Sequence, residues 1–80
     1  MPRSGADQTL RMIVIYDRPR DLPTGFAVRV WTVSRGMAVP GRLLGADLPT
    51  LEAARELVPA GLVNIGRQPD DDAKIVEVWT

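Results

Sequence analysis

The side chains that most often carry chemistry at neutral pH are missing from this sequence, because its 80 residues include no histidine and no cysteine. That removes the side chain that ordinarily titrates near pH 7, the usual zinc ligands and the thiolate nucleophile. Carboxylates, hydroxyls, one tyrosine, one lysine and nine arginines remain. No catalytic pattern uses them, so the sequence predicts a protein that is not an enzyme, with no catalytic residue, cofactor site or metal site.

Two acidic groups come nearest to a chemical motif. The three aspartates 70–72 are consecutive, whereas calcium takes about six to eight oxygens from spaced positions, so a solvated turn is favoured. Glu52 and Glu56 are four residues apart, a spacing at which like charges on a helix repel each other. The glycine motifs GxxxxGK[ST] and GxGxxG, which bind phosphates, do not occur.

The arginines are the remaining candidates for binding. Arg18 and Arg20 lie in residues 17–25, a stretch with two prolines and a glycine that must be a loop. With Arg35 and Arg42 in later turns they would suit a phosphate or carboxylate clamp, although plain solvation is the favoured interpretation. Residues 1–45 carry seven arginines and three aspartates, and residues 46–80 reverse this excess, so the formal net charge is zero. Folding either neutralises the two halves or leaves a two-sided surface.

Length and composition indicate one small globular domain. The sequence is 45% hydrophobic and 25% charged, and its longest apolar run, 12–16, is far shorter than the ~20 residues of a membrane helix. We therefore expect no membrane association and a cytoplasmic location. Residues 1–9 are predicted to be a disordered tail and residues 10–80 a single domain. A core this small supplies only about 3–5 kcal/mol, which favours self-association or a partner.

Hydrophobic periodicity predicts an α+β fold. We expect a small antiparallel sheet of four to five strands with one short helix packed on one face, in the order β-β-(β)-α-β-β. Thr50 is the predicted N-cap of the helix, and Pro59 and Gly61 end it. The strands are predicted at 10–16, 26–33, an edge region within 37–44, 62–65 and 74–80.

Strand alternation then predicts a surface. In the second strand Arg29 and Trp31 share one face, and in the last strand Glu77 and Trp79 share one face. Because the all-aliphatic faces belong under the helix, we expect both indoles on the outer side of the sheet, with Tyr16 as a further neighbour. The competing interpretation is that loops or the tail cover them, or that they cap a second small core.

The leading hypothesis is a non-enzymatic protein-interaction module that uses the outer face or an edge of its sheet to bind another protein or a second copy of itself. The alternative is a nucleic-acid-binding domain that uses Trp31, Trp79 and the loop arginines, although the neutral charge and nearby glutamate argue against it. The candidate partner-binding residues are Arg29, Trp31, Glu77, Trp79, Arg18 and Arg20.

Overall fold

The computed structural model describes residues 9–69 and 71–80, which form one antiparallel sheet and one short helix. The strands occur in the order β3-β2-β1-β4 across the sheet, and each neighbouring pair is antiparallel. The predicted small antiparallel sheet with a single short helix is confirmed, with four strands. In chain order the elements are β1 (Thr9–Asp17), β2 (Phe26–Ser34), β3 (Met37–Leu48), α1 (Leu51–Arg55) and β4 (Ile75–Trp79).

Three boundaries differ from those expected. The edge region is one strand of 12 residues, and the predicted strand at 62–65 is reduced to an isolated bridge between Asn64 and Trp79. That segment still runs along β4, because the amide of Ile65 donates to the carbonyl of Val78 at 2.8 Å. The predicted tail included Thr9, which instead pairs with Ser34 in the sheet. Residues 1–8 lie outside the described residues.

The helix begins as predicted, but it ends early. The Thr50 hydroxyl accepts a hydrogen bond from the Ala53 amide at 3.1 Å, which confirms the N-cap. The helix ends at Arg55, after which Val58 N donates to the Arg55 carbonyl in a tighter turn. Five residues cannot sustain a helix alone, so α1 depends on packing. No helix in the described part of the chain is long and apolar enough to cross a membrane.

The core identifies two faces of the sheet. Ala54 of α1 clusters with Ile13, Ile15 and Val28, all at most 1% exposed, and we call this the helix-side face. Paired residues of antiparallel strands share a face, so the strand register assigns the rest. The helix-side face also includes Arg11, Phe26, Val30, Thr32, Val39, Glu77 and Trp79, and the outer face includes Leu10, Met12, Val14, Tyr16, Ala27, Arg29, Trp31, Val33 and Val78.

The prediction that both indoles share the outer face is wrong for Trp79 and for its neighbour Glu77. Trp79 pairs with Ile13 and Glu77 pairs with Ile15, so both project to the helix side. The all-aliphatic face of β4, which includes Val78, is the outer one. The assumption that the all-aliphatic face of β4 lies under the helix was wrong. A carboxylate can be buried on the helix side when the helix supplies a counter-charge, and here Arg55 is that counter-charge.

Gly25 is required where the loop before β2 meets the end of β3. A Cβ there would lie 2.8 Å from both the carbonyl carbon of Asp47 and the carbonyl oxygen of Leu48. Backbone atoms cannot move aside cheaply, so we expect Gly25→Ala to lower the free energy of unfolding by about 1–2 kcal/mol. Urea denaturation followed by circular dichroism measures this change. An unchanged midpoint would contradict the close approach.

Candidate functional site

The structure separates the six predicted site residues into three places. Arg29 and Trp31 lie on the outer face, whereas Glu77 and Trp79 lie on the helix-side face. Arg18 and Arg20 are exposed in the loop between β1 and β2. The two indoles therefore do not form one surface, and each face has to be considered separately.

An aromatic ridge, formed by Tyr16 and Trp31, crosses the outer face. Trp31 Nε1 donates a hydrogen bond to the Tyr16 hydroxyl oxygen at 2.7 Å, which ties β2 to β1. Burial raises the pKa of Tyr16 above its usual range, so the phenol is neutral at physiological pH. Since its oxygen accepts from the indole, the hydroxyl proton remains available to a partner.

Two shallow hollows flank the aromatic ridge. The first, of about 310 Å³, has Ala27, Arg29, Pro40 and Leu43 in its lining, and the β1–β2 loop contributes Leu22. The Arg29 guanidinium donates to the Gly41 carbonyl at 2.7 Å, which holds its charge against β3.

The second hollow, of about 240 Å³, lies on the other side of the ridge. Its lining includes Met12, Val14 and Val78 from the strands and Ile65 from the segment beside β4. Leu10, 51% exposed, extends the apolar surface along β1. Sequence reasoning missed this surface because the apolar run of β1 predicts a strand that is buried on both faces. The available signal was the set of even-numbered residues of β1, which alternate with the core residues Ile13 and Ile15.

The edges of the sheet are protected. The two-residue turn at Arg35 and Gly36, both with positive φ (54° and 78°), makes Ser34 and Met37 a hydrogen-bonded pair. Hydrogen-bonded and non-hydrogen-bonded pairs alternate along an antiparallel ladder, so Trp31 and Pro40 are a non-hydrogen-bonded pair. The nitrogen of Pro40 therefore faces away from β2, and because proline has no N–H it offers no donor at this open edge. Register shifts interrupt β3 at three points. Bulges and an edge proline both oppose the addition of a further strand, and residues 63–65 border β4 on the other side.

Glu77 is the centre of a polar cluster under the helix. Arg55 Nε lies 3.1 and 3.2 Å from the two carboxylate oxygens, and its Nη2 also bonds to Oε2. Trp79 Nε1 donates to Oε1 at 3.1 Å. The Arg55 hydrogen bonds, with help from Trp79, hold the pKa of Glu77 below its usual range despite burial, and the carboxylate in turn raises the pKa of Arg55.

This cluster braces the structure. Glu77 is only 6% exposed, and both of its oxygens accept hydrogen bonds from Arg55. A general base needs a lone pair aimed at a substrate proton, whereas the oxygens of this carboxylate already accept from Arg55 and Trp79. Its effect is to attach α1 to β4.

The remaining sequence candidates do not converge. Arg18 pairs with neighbouring Asp17 at 3.1 Å in an exposed position, and Arg42 lies at a different cavity on the helix-side face. The carboxylate of Asp71 accepts from the Gln68 amide at 2.8 Å and therefore shapes a turn. Asp70 lies outside the described residues, and within 9–69 and 71–80 no three potential ligands cluster around a metal position.

No match to this chain was found among family models, curated proteins or solved structures. The functional assignment therefore depends on the geometry and chemistry of the two sheet faces.

Proposed function

We propose that this protein is a non-enzymatic interaction module that binds a second copy of itself through the outer face of its sheet. In this arrangement α1 packs on one face and the second copy covers the other. The observation that carries the proposal is the aromatic ridge of Tyr16 and Trp31, which stands between two hollows on a face with exposed apolar neighbours.

The residue types on the outer face support a protein partner. Tyrosine, tryptophan, methionine and arginine are enriched in interfaces, and tryptophan, tyrosine and arginine dominate the residues that supply most binding energy. The outer face presents Met12, Tyr16, Arg29 and Trp31 together. Arg29 is already oriented by the Gly41 carbonyl, so little side-chain entropy is lost when it is covered.

Size and charge favour a second copy as the partner. Four strands about 4.8 Å apart, with β1 and β2 each nine residues long, outline a face of roughly 600 Å². A standard interface buries about 800 Å² per partner, so the face and its adjoining loops approach that size. The formal net charge of zero means that two copies do not repel each other at long range.

The face is favoured over the edges. Strand addition requires a row of outward N–H and C=O groups, but Pro40 interrupts that row on β3 and residues 63–65 border β4. A two-fold symmetric dimer through the outer face needs neither edge.

The nucleic-acid alternative loses its geometric basis but stays a prediction. It required Trp31 and Trp79 on one stacking surface, whereas Trp79 lies on the helix-side face beside Ile13. Successive bases stack on a shared aromatic platform, and here Trp31 has only Tyr16 as its aromatic neighbour on that face.

The first test compares two exposed aliphatic side chains on opposite faces. Leu10 on the outer face is 51% exposed and Val39 on the helix-side face is 50% exposed. We expect Leu10→Glu to weaken self-association at least about tenfold, because a glutamate would be desolvated in the interface. Val39→Glu should leave it unchanged. Sedimentation equilibrium over a wide concentration range measures both.

Two results would contradict the proposal. One is a strict monomer at millimolar concentration of the unaltered protein. The other is equal weakening by both substitutions, because this would show that the added charge acts without regard to the face.

A further inference from the structure

The helix-side face contains a cavity that α1 does not cover. It measures about 380 Å³, within the usual range for small-molecule sites. Ile13, Val30 and Leu44 supply apolar lining, and all three belong to the core cluster or pack against it. Because α1 ends at Arg55, the chain beyond it contributes Pro59 as the wall on that side.

Two arginines border this cavity from different strands. Arg11 belongs to β1 and Arg42 to β3, with β2 between them, so they are two strand spacings, about 10 Å, apart across the sheet. Arg42 also lies three residues along β3 from Val39, the residue level with Arg11 through Thr32. Both side chains are exposed. In the described part of the chain neither has a carboxylate partner within ion-pair distance, in contrast to Arg55 with Glu77 and Arg18 with Asp17.

This combination selects a ligand class. Two guanidinium groups that make no ion pair with any described carboxylate attract an anion, and their planar forks match carboxylate and phosphate oxygens. An inorganic anion alone would leave the apolar lining unused. An apolar molecule without charge would leave both arginines unpaired.

We propose that this cavity binds a small amphiphilic anion, with a carboxylate or phosphate group at Arg11 and Arg42 and an apolar body against Val30 and Leu44. The site lies on the face opposite the aromatic ridge, so it does not depend on self-association.

Four probes test the proposal on the whole chain by amide chemical shifts in NMR titrations: octanoate, octyl phosphate, octanol and inorganic phosphate. We expect saturable shifts at Ile13, Thr32 and Leu44 with at least one of the two amphiphilic anions, and the tighter one identifies the anionic group. Octanol and inorganic phosphate should bind at least about tenfold more weakly. Added salt should weaken anion binding, since the arginines are exposed.

Substitutions test whether Arg11 and Arg42 bind the anionic group of the ligand. Arg11→Gln and Arg42→Gln should each weaken binding of the preferred anion about tenfold, as expected for loss of a charge-assisted hydrogen bond. Arg20→Gln, an exposed arginine in the β1–β2 loop, is the matched control and should bind like the unaltered protein. Equal affinity for octanol and octanoate, insensitivity to salt, or unaltered binding by both cavity variants would overturn the proposal.

Discussion

Trp31→Ala is expected to raise the dissociation constant for self-association by at least about 30-fold. Truncation of a central tryptophan in an interface commonly costs 2 kcal/mol or more, and each 1.4 kcal/mol is about tenfold in affinity. Here the substitution also removes the donor to Tyr16 and merges the two hollows into one depression. Sedimentation velocity over a concentration series measures the change.

Conservative variants separate ring area from hydrogen bonding. Trp31→Phe keeps most of the apolar surface but removes Nε1, so its effect should be smaller than that of alanine. Trp79→Phe is the matched control on the opposite face: it removes the donor to Glu77 and should lower stability without changing association. If Trp31→Ala and the unaltered protein associate equally, the outer face is not the interface.

Glu77→Ala is expected to lower the free energy of unfolding at pH 7 by about 2–3 kcal/mol. The substitution leaves the half-buried Trp79 N–H without its acceptor and removes the contact that attaches Arg55 of the helix to β4. An unsatisfied buried donor alone costs about 1–3 kcal/mol. Glu56→Gln, an exposed carboxylate at the end of the same helix, should change stability by less than about 0.5 kcal/mol.

The stability that Glu77 contributes depends on pH in a definite direction. Its pKa is lower in the folded protein than the ordinary glutamate value of about 4.3, so the unfolded chain binds more protons as the pH falls. The contribution is therefore complete above that ordinary value and is lost as the pH falls through the lower folded pKa.

Glu77→Gln tests this dependence because glutamine cannot titrate. The variant should be less stable than the unaltered protein at pH 7, and the difference should shrink in acid as Glu77 itself becomes protonated. Urea denaturation at several pH values measures this difference. A difference that stays constant from neutral to acidic pH would show that the carboxylate charge is not what stabilises the brace.

Local features of the fold were predictable because short stretches of sequence encode them. The β-branched and apolar run of β1, the alternation of β2 and the cap at Thr50 are each encoded within a few consecutive residues. The end of α1 was harder, because Pro59 and Gly61 were the breakers visible in the sequence, whereas the chain already tightens after Arg55.

The candidate site was predictable only in part. Alternation correctly placed Arg29 with Trp31 and Glu77 with Trp79, since side chains two residues apart on a strand share a face. Alternation cannot say which face of one strand joins which face of another. The pairing of Trp79 with Ile13 made that choice, and it put the two indoles on opposite sides.

The sequence by itself determined the short-range properties of this protein: which segments extend, where the helix starts, and which side chains on one strand lie together. Tertiary structure alone decided which face of β4 lies on the helix side, the burial of Glu77 and the meeting of Tyr16 with Trp31. The physical reason is register, since a shift of one residue moves every side chain to the other face. Here the register is stabilised by partners distant in sequence, as when Arg55 reaches Glu77, 22 residues away.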